Sequence, residues 1–166
     1  MILTIILLTT PMERMDQPRH HSSFTSPNGR YELKMISPLY TRPFVWGLVD
    51  KETKQTLYQL TGDYGSRTVF VCDEGTHLAI IDDFSEREPA ADLDVLLFFE
   101  KGVLLKKYEL RGLLKDSSNV TRSVSHFFWL PVGAKPLFKD EKLSITTTEK
   151  VSFEFELKTG EIVSKG

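Results

Sequence analysis

The stretch CDEGTHLAII, Cys72–Ile81, decides the fold. Asp73, Glu74 and Gly75 interrupt an apolar run, and the chain restarts with Leu78 and Ile80 at alternate positions. Tight hairpins need positive φ, which glycine, asparagine and aspartate tolerate, so this is turn chemistry followed by a strand. The same arrangement occurs at SPNGRYELKM (Ser26–Met35) and at FKDEKLSITT (Phe138–Thr147), each a polar turn followed by alternating residues.

A second hairpin follows each of the three. WGLVDKETKQTLYQL (Trp46–Leu60), LLFFEKGVLLKKYEL (Leu96–Leu110) and VSFEFELKTGEIV (Val151–Val163) each read apolar run, charged turn, apolar run. Two hairpins in series make a meander of up to four short strands. Gly29 and Gly75 lie 46 residues apart, within the period of propeller blades. In this pattern of turn and strand, including the Thr159-Gly160 turn, the chain resembles bacterial β-propeller blade repeats of the WD and YVTN type. The resemblance covers roughly residues 22–163. It implies a binding scaffold or, less often, an enzyme, and it transfers no site residues.

The strand patterns rank the sheets. VLLFF (Val95–Phe99) is apolar on both faces, as in a strand covered on both sides. Val151, Phe153, Phe155 and Leu157 alternate with Ser152, Glu154 and Glu156, as in a strand with one face in water. The middle unit is therefore the most buried, with Phe98 expected deeper than Phe155. After Val103 the strand runs to Leu110 and gives way to a single helical turn, because Gly112 weakens any longer helix. The expected fold is all-β, built of antiparallel β-meanders as propeller-like repeats or a two-sheet β-sandwich. A single domain, 22–166, holds meander units at 22–60, 67–114 and 124–163.

Residues 1–21 stand apart. Ile2–Leu8 is a run of seven mostly apolar residues, far short of the roughly 20 needed to cross a bilayer, so no transmembrane helix is expected there. It reads either as a clipped signal peptide, which places the protein outside the cytoplasm, or as an edge strand of a cytoplasmic one. Pro11–His21 reads as a linker. The 21 basic and 23 acidic residues leave a net charge of −2 and form no basic stripe, so nucleic acid is not an expected partner. The single cysteine, Cys72, excludes an intrachain disulfide and a cysteine zinc cluster, and it reads as a small buried hydrophobe.

Signatures of chemistry are sparse. Asp82–Asp94 packs six carboxylates into 13 residues but lacks the calcium-loop spacing, and Arg87 lies among them, so it reads as a solvated loop without metal. No cofactor motif is present. His126, in SVSHFFWLP (Ser123–Pro131), and His77 are the candidate catalytic bases, with Asp82, Asp83 or Asp63 as the acid of a hydrolase-like site. Strand alternation over this segment puts His126 on the face opposite Ser125, which excludes Ser125 as the nucleophile. Tyr40, Arg42, Phe44 and Trp46 in SPLYTRPFVW (Ser37–Trp46), with Trp129, form a candidate contact surface. The 37–46 loop could equally fold back as a lid over the sheet. The leading function is a non-catalytic binding or structural module, with a protein partner or self-association. The hydrolase-like enzyme and a small-molecule-binding sandwich are the alternatives. Convergence of a histidine, a carboxylate and a cleft separates them.

Overall fold

A computed structural model describes residues 23–37, 43–64, 67–85 and 88–166. The expectations for residues 1–21, Tyr40 and Arg42 lie outside the described residues.

The fold is all-β, with three consecutive four-stranded antiparallel meanders. The first holds β1 (Ser23–Thr25), β2 (Tyr31–Met35), β3 (Val45–Asp50) and β4 (Thr56–Thr61). The second holds β5 (Thr68–Val71), β6 (His77–Ile81), β7 (Asp94–Glu100) and β8 (Val103–Glu109). One helical turn, α1 (Leu110–Leu113), follows, and then a small ladder of β9 (Thr121–Arg122) and β10 (Phe127–Phe128). The third sheet holds β11 (Leu137–Lys139), β12 (Lys142–Thr146), β13 (Ser152–Glu156) and β14 (Ile162–Lys165).

Turn chemistry explains where strands stop. Gly29 and Gly75 take positive φ in the turns after β1 and β5. Lys101 and Gly102 both do so between β7 and β8, and Asp140 and Glu141 both do so between β11 and β12. Two consecutive positive φ angles match the twist of a two-residue hairpin.

Sheet packing follows from alternation. In the middle sheet Leu78, Ile80 and Phe99 join Leu33, Trp46 and Leu48 of the first sheet in one buried cluster. Ala79, Ile81 and Phe98 join Leu143, Phe153 and Phe155 of the third in another. The middle sheet is thus covered on both faces, which is why β7 carries no alternation. The Phe98 and Phe155 rings lie 5.6 Å apart and both residues are fully buried, so the expected difference in depth is not seen. The third sheet turns Ser152 and Glu154 to its other face.

Turns also lock the sheets together. The Asn28 backbone N–H donates to Asp73 Oδ1 at 2.7 Å, and its side-chain amide donates to the Asp73 carbonyl at 2.8 Å, joining the first turns of two sheets. Gly102 lies against Gln59 and Tyr58 of β4, and Gly160 lies against Phe98 and Lys106 of the middle sheet. A Cβ on Gly160 would sit 2.8 Å from the Lys106 Cβ, at a φ of 69°. The second and third sheets therefore each seat their last turn on the sheet before, through a glycine.

Two substitutions probe this packing. Phe98→Ala removes a ring from a site closed on all sides and should cost about 3–5 kcal/mol in urea unfolding. Gly160→Ala combines left-handed backbone strain with a close contact and should cost about 1–3 kcal/mol. A loss below about 1 kcal/mol for Phe98→Ala would remove the two-faced assignment of β7.

Candidate functional site

Connections alternate between the two ends of a meander. At one end they are short: 26–30, 51–55, 72–76, 101–102, 140–141 and 157–161. At the other they are 36–44, 62–67, 82–93, 110–136 and 147–151, and the longest elaborations of the chain fall here. Contacts within each set join one sheet to the next. The short turns meet through Asn28 and Asp73, and through Lys158 and Glu74 at 3.5 Å.

The long connections are tied to one another by hydrogen bonds, one of them buried. Trp129 is fully buried and its indole N–H donates to the Asp82 carbonyl at 2.6 Å. The Trp129 carbonyl accepts the Thr148 N–H at 3.0 Å. Ser85 and Phe127 exchange backbone hydrogen bonds at 3.2 and 3.0 Å. Glu149 accepts the N–H groups of Lys115 and Asp116 at 2.8 and 3.0 Å, and these bonds hold its carboxyl below the ordinary range. Arg122 pairs with Glu88 at 2.9 Å. The 110–136 connection is therefore a built element.

The aromatic candidates are redistributed. Phe44, Trp46 and Trp129 were expected at a contact surface, and all three are buried. Large rings bury the most apolar area, and each indole N–H finds a carbonyl inside: Trp46 donates to Gly62 at 2.9 Å. Phe44 precedes β3 and Trp46 lies within it, and both side chains point into the core.

Of the catalytic candidates, His77 lies at the short-turn end, and His126, Asp82, Asp83 and Asp63 lie at the long-connection end. His77 opens β6 at the short-turn end, and its Nδ1 lies 2.9 Å from Thr76 Oγ1. The backbone N–H groups of Thr76 and His77 donate to Cys72 Sγ at 3.3 and 3.1 Å, so the buried thiol also shapes this turn. His126 lies at the long-connection end and stacks on Phe84, with centroids 3.7 Å apart. Asp82 is buried and pairs with Arg67 at 2.9 Å. Asp83 accepts the Thr68 hydroxyl at 3.2 Å. Asp63 is exposed between β4 and β5.

One exclusion is corrected. Ser125 Oγ and His126 Nδ1 are 2.6 Å apart. Strand alternation does not apply, because the ladder covers only 121–122 and 127–128, and residues 123–126 form the turn between them. That turn is closed by the Ser123 N–H on the His126 carbonyl at 2.8 Å and the His126 N–H on Ser123 Oγ at 3.0 Å. Arg122, Glu88, Ser125 and His126 line a cavity of about 100 Å³ beside it. A larger hollow of about 510 Å³ lies over the third sheet, lined by residues that include Lys135, Ser144, Ser152, Glu154 and Ser164. Among the described residues no three His, Cys, Asp or Glu side chains are grouped to hold a metal.

The most exposed large apolar residue here escaped the sequence reading. Val124, at the tip of the 123–126 turn, is 92% exposed. Its signal was a β-branched residue between two serines, at a place where turn chemistry favours glycine, asparagine or aspartate.

No protein-family model matches the chain, and no curated protein is significantly similar to it. Among solved structures, the β-propeller domain of Myceliophteria thermophila Cps50 (Swd1) is similar at 17% identity and a TM-score of 0.38. That match covers 88% of this chain and 42% of the other, so the chain spans about two-fifths of that domain's length. No assignment of function rests on it.

Burial pushes the Asp83 carboxyl above its ordinary range, the Thr68 hydrogen bond opposes this, and the neighbouring Asp82 adds to it. The native state then holds this proton more tightly than the unfolded chain. The associated stability is present below the ordinary carboxylate range and is lost as pH rises through the elevated value. Asp83→Asn should flatten that fall in the urea midpoint, measured from acid to neutral pH. An unchanged pH profile would remove Asp83 as its source.

Proposed function

We propose that this chain is a non-catalytic protein-binding module whose contact surface is the long-connection end, with the β9–β10 hairpin at its centre. The observation that carries the reading is Val124, an aliphatic side chain held out at 92% exposure on a turn closed by its own hydrogen bonds. A rigid apolar tip loses little conformational entropy on docking, which is the physical basis of a preorganised contact. The anchoring supports it. Phe127 and Trp129 are buried behind the tip, and the Phe84–His126 stack braces its side. In this reading the surface includes the exposed residues of the 115–130 segment.

The Ser125–His126 contact favours a second reading, a hydrolase-like site using His126 as base. A fluorophosphonate probe distinguishes the two. Labelling that disappears in Ser125→Ala, with turnover of an activated ester, supports the enzyme.

For the binding reading, the purified chain and its Val124→Asp and Lys54→Glu variants are compared. Proteins captured by the chain are purified and titrated back. Affinity should fall at least about tenfold for Val124→Asp and stay unchanged for Lys54→Glu at the short-turn end. Equal affinity for all three would remove the hairpin from the contact surface.

A further inference from the structure

A different surface carries an inference of its own. In its sheet β8 pairs only with β7, so among the described residues the ladder groups along its outer side have no strand partner. Its first three residues, Val103, Leu104 and Leu105, are 70%, 48% and 41% exposed. An exposed apolar edge is a template for another strand, and proteins usually guard such edges with charges. Here the two charged guards are drawn back, and the bulge at Leu105 leaves Val103 and Leu104 as the regular start of the edge. Lys106 Nζ reaches Glu161 of the third sheet at 2.6 Å, and Lys107 Nζ reaches Asp94 of β7 at 3.0 Å. Gly102, just before β8, lies against Gln59 and Tyr58 of β4, and Gly160, just before β14, lies against Lys106 of β8; β4 and β14 expose Leu57 and Ile162.

We propose that β8 is an acceptor edge for an added β-strand, supplied by an extended, aliphatic-rich segment of another protein. Backbone groups on the outer side of β8 would complete the ladder with that segment. Val103 would contact its side chains on one face of the sheet and Leu104 on the other, with Leu105 at the bulge between Leu104 and Lys106. Size favours an extended segment over a second folded copy of this chain. Seven residues make an edge about 24 Å long, and a strip about 10 Å wide along it covers roughly 240 Å². A stable folded partner needs about 800 Å² on each side, whereas an extended segment draws its affinity from ladder hydrogen bonds.

The test uses the full chain and a fluorescein-labelled synthetic peptide, Thr-Val-Thr-Val-Ile-Val-Thr, followed by anisotropy. A matched peptide carries N-methyl groups on alternate amides, which deletes ladder donors without removing side chains. Saturable binding of the first peptide is expected. It should weaken at least about tenfold with the N-methylated peptide, and equally with a Val103→Lys/Leu105→Lys variant whose circular dichroism is unchanged. Val124→Asp should bind the peptide normally, which separates this edge from the hairpin surface. No saturable binding, or binding indifferent to N-methylation and to the two lysines, overturns the proposal. A wild-type dimer in light scattering that the two lysines dissociate also overturns it, in favour of a second copy.

Discussion

The middle sheet must be covered on both faces, and the rest of the molecule is arranged around that requirement. Burying an aromatic or aliphatic side chain is worth about 1.5–3 kcal/mol, and β6 and β7 point such groups both ways. Leu78, Ile80 and Phe99 require the first sheet, while Ala79, Ile81 and Phe98 require the third. The outer two sheets each need only one apolar face, and β13 shows this directly by turning Ser152 and Glu154 away from the core. The order of sheets in space therefore follows their order in the chain.

Face-to-face packing sets the spacing between sheets and makes particular turn residues obligatory. At Gly102 and Gly160 a turn meets the preceding sheet too closely for a side chain. One end of the structure is therefore committed to holding the sheets together. The opposite end carries the long connections, whose backbone groups are satisfied by one another, by the buried Trp129 and by the Glu149 carboxylate. An irregular segment paired in this way can present a fixed surface, which is what a binding site requires.

His77 and His126 lie on opposite sides of this division. A sheet separates the turn around Cys72 from the hairpin around Val124, so two histidines that look comparable in sequence have unrelated surroundings. The first belongs to a turn organised by a thiol. The second belongs to a stacked aromatic pair at the rim of the longest connection.

Much of this architecture was legible in the residues alone. Turn pairs such as Asn28-Gly29 and Lys101-Gly102, and the alternation of Val151 to Leu157, are local physics. Positive φ and a two-residue side-chain period need no tertiary information. The apolar run Val95–Phe99 likewise announced a strand buried on both faces. What surrounds a given aromatic was not legible. Phe44 and Trp129 occur in loop-like sequence and Trp46 at the start of β3, yet all three are core, because a large ring packs wherever the neighbouring sheet offers a pocket. Ser125 and His126 meet because a four-residue turn replaces the continuous strand that alternation implied. Side-chain period and turn conformation alone set the all-β meanders and which of them is covered on both faces, though not the relative depth of Phe98 and Phe155. Only the tertiary structure decided which connections form a surface and which rings lie inside, because those depend on contacts between residues far apart in the chain.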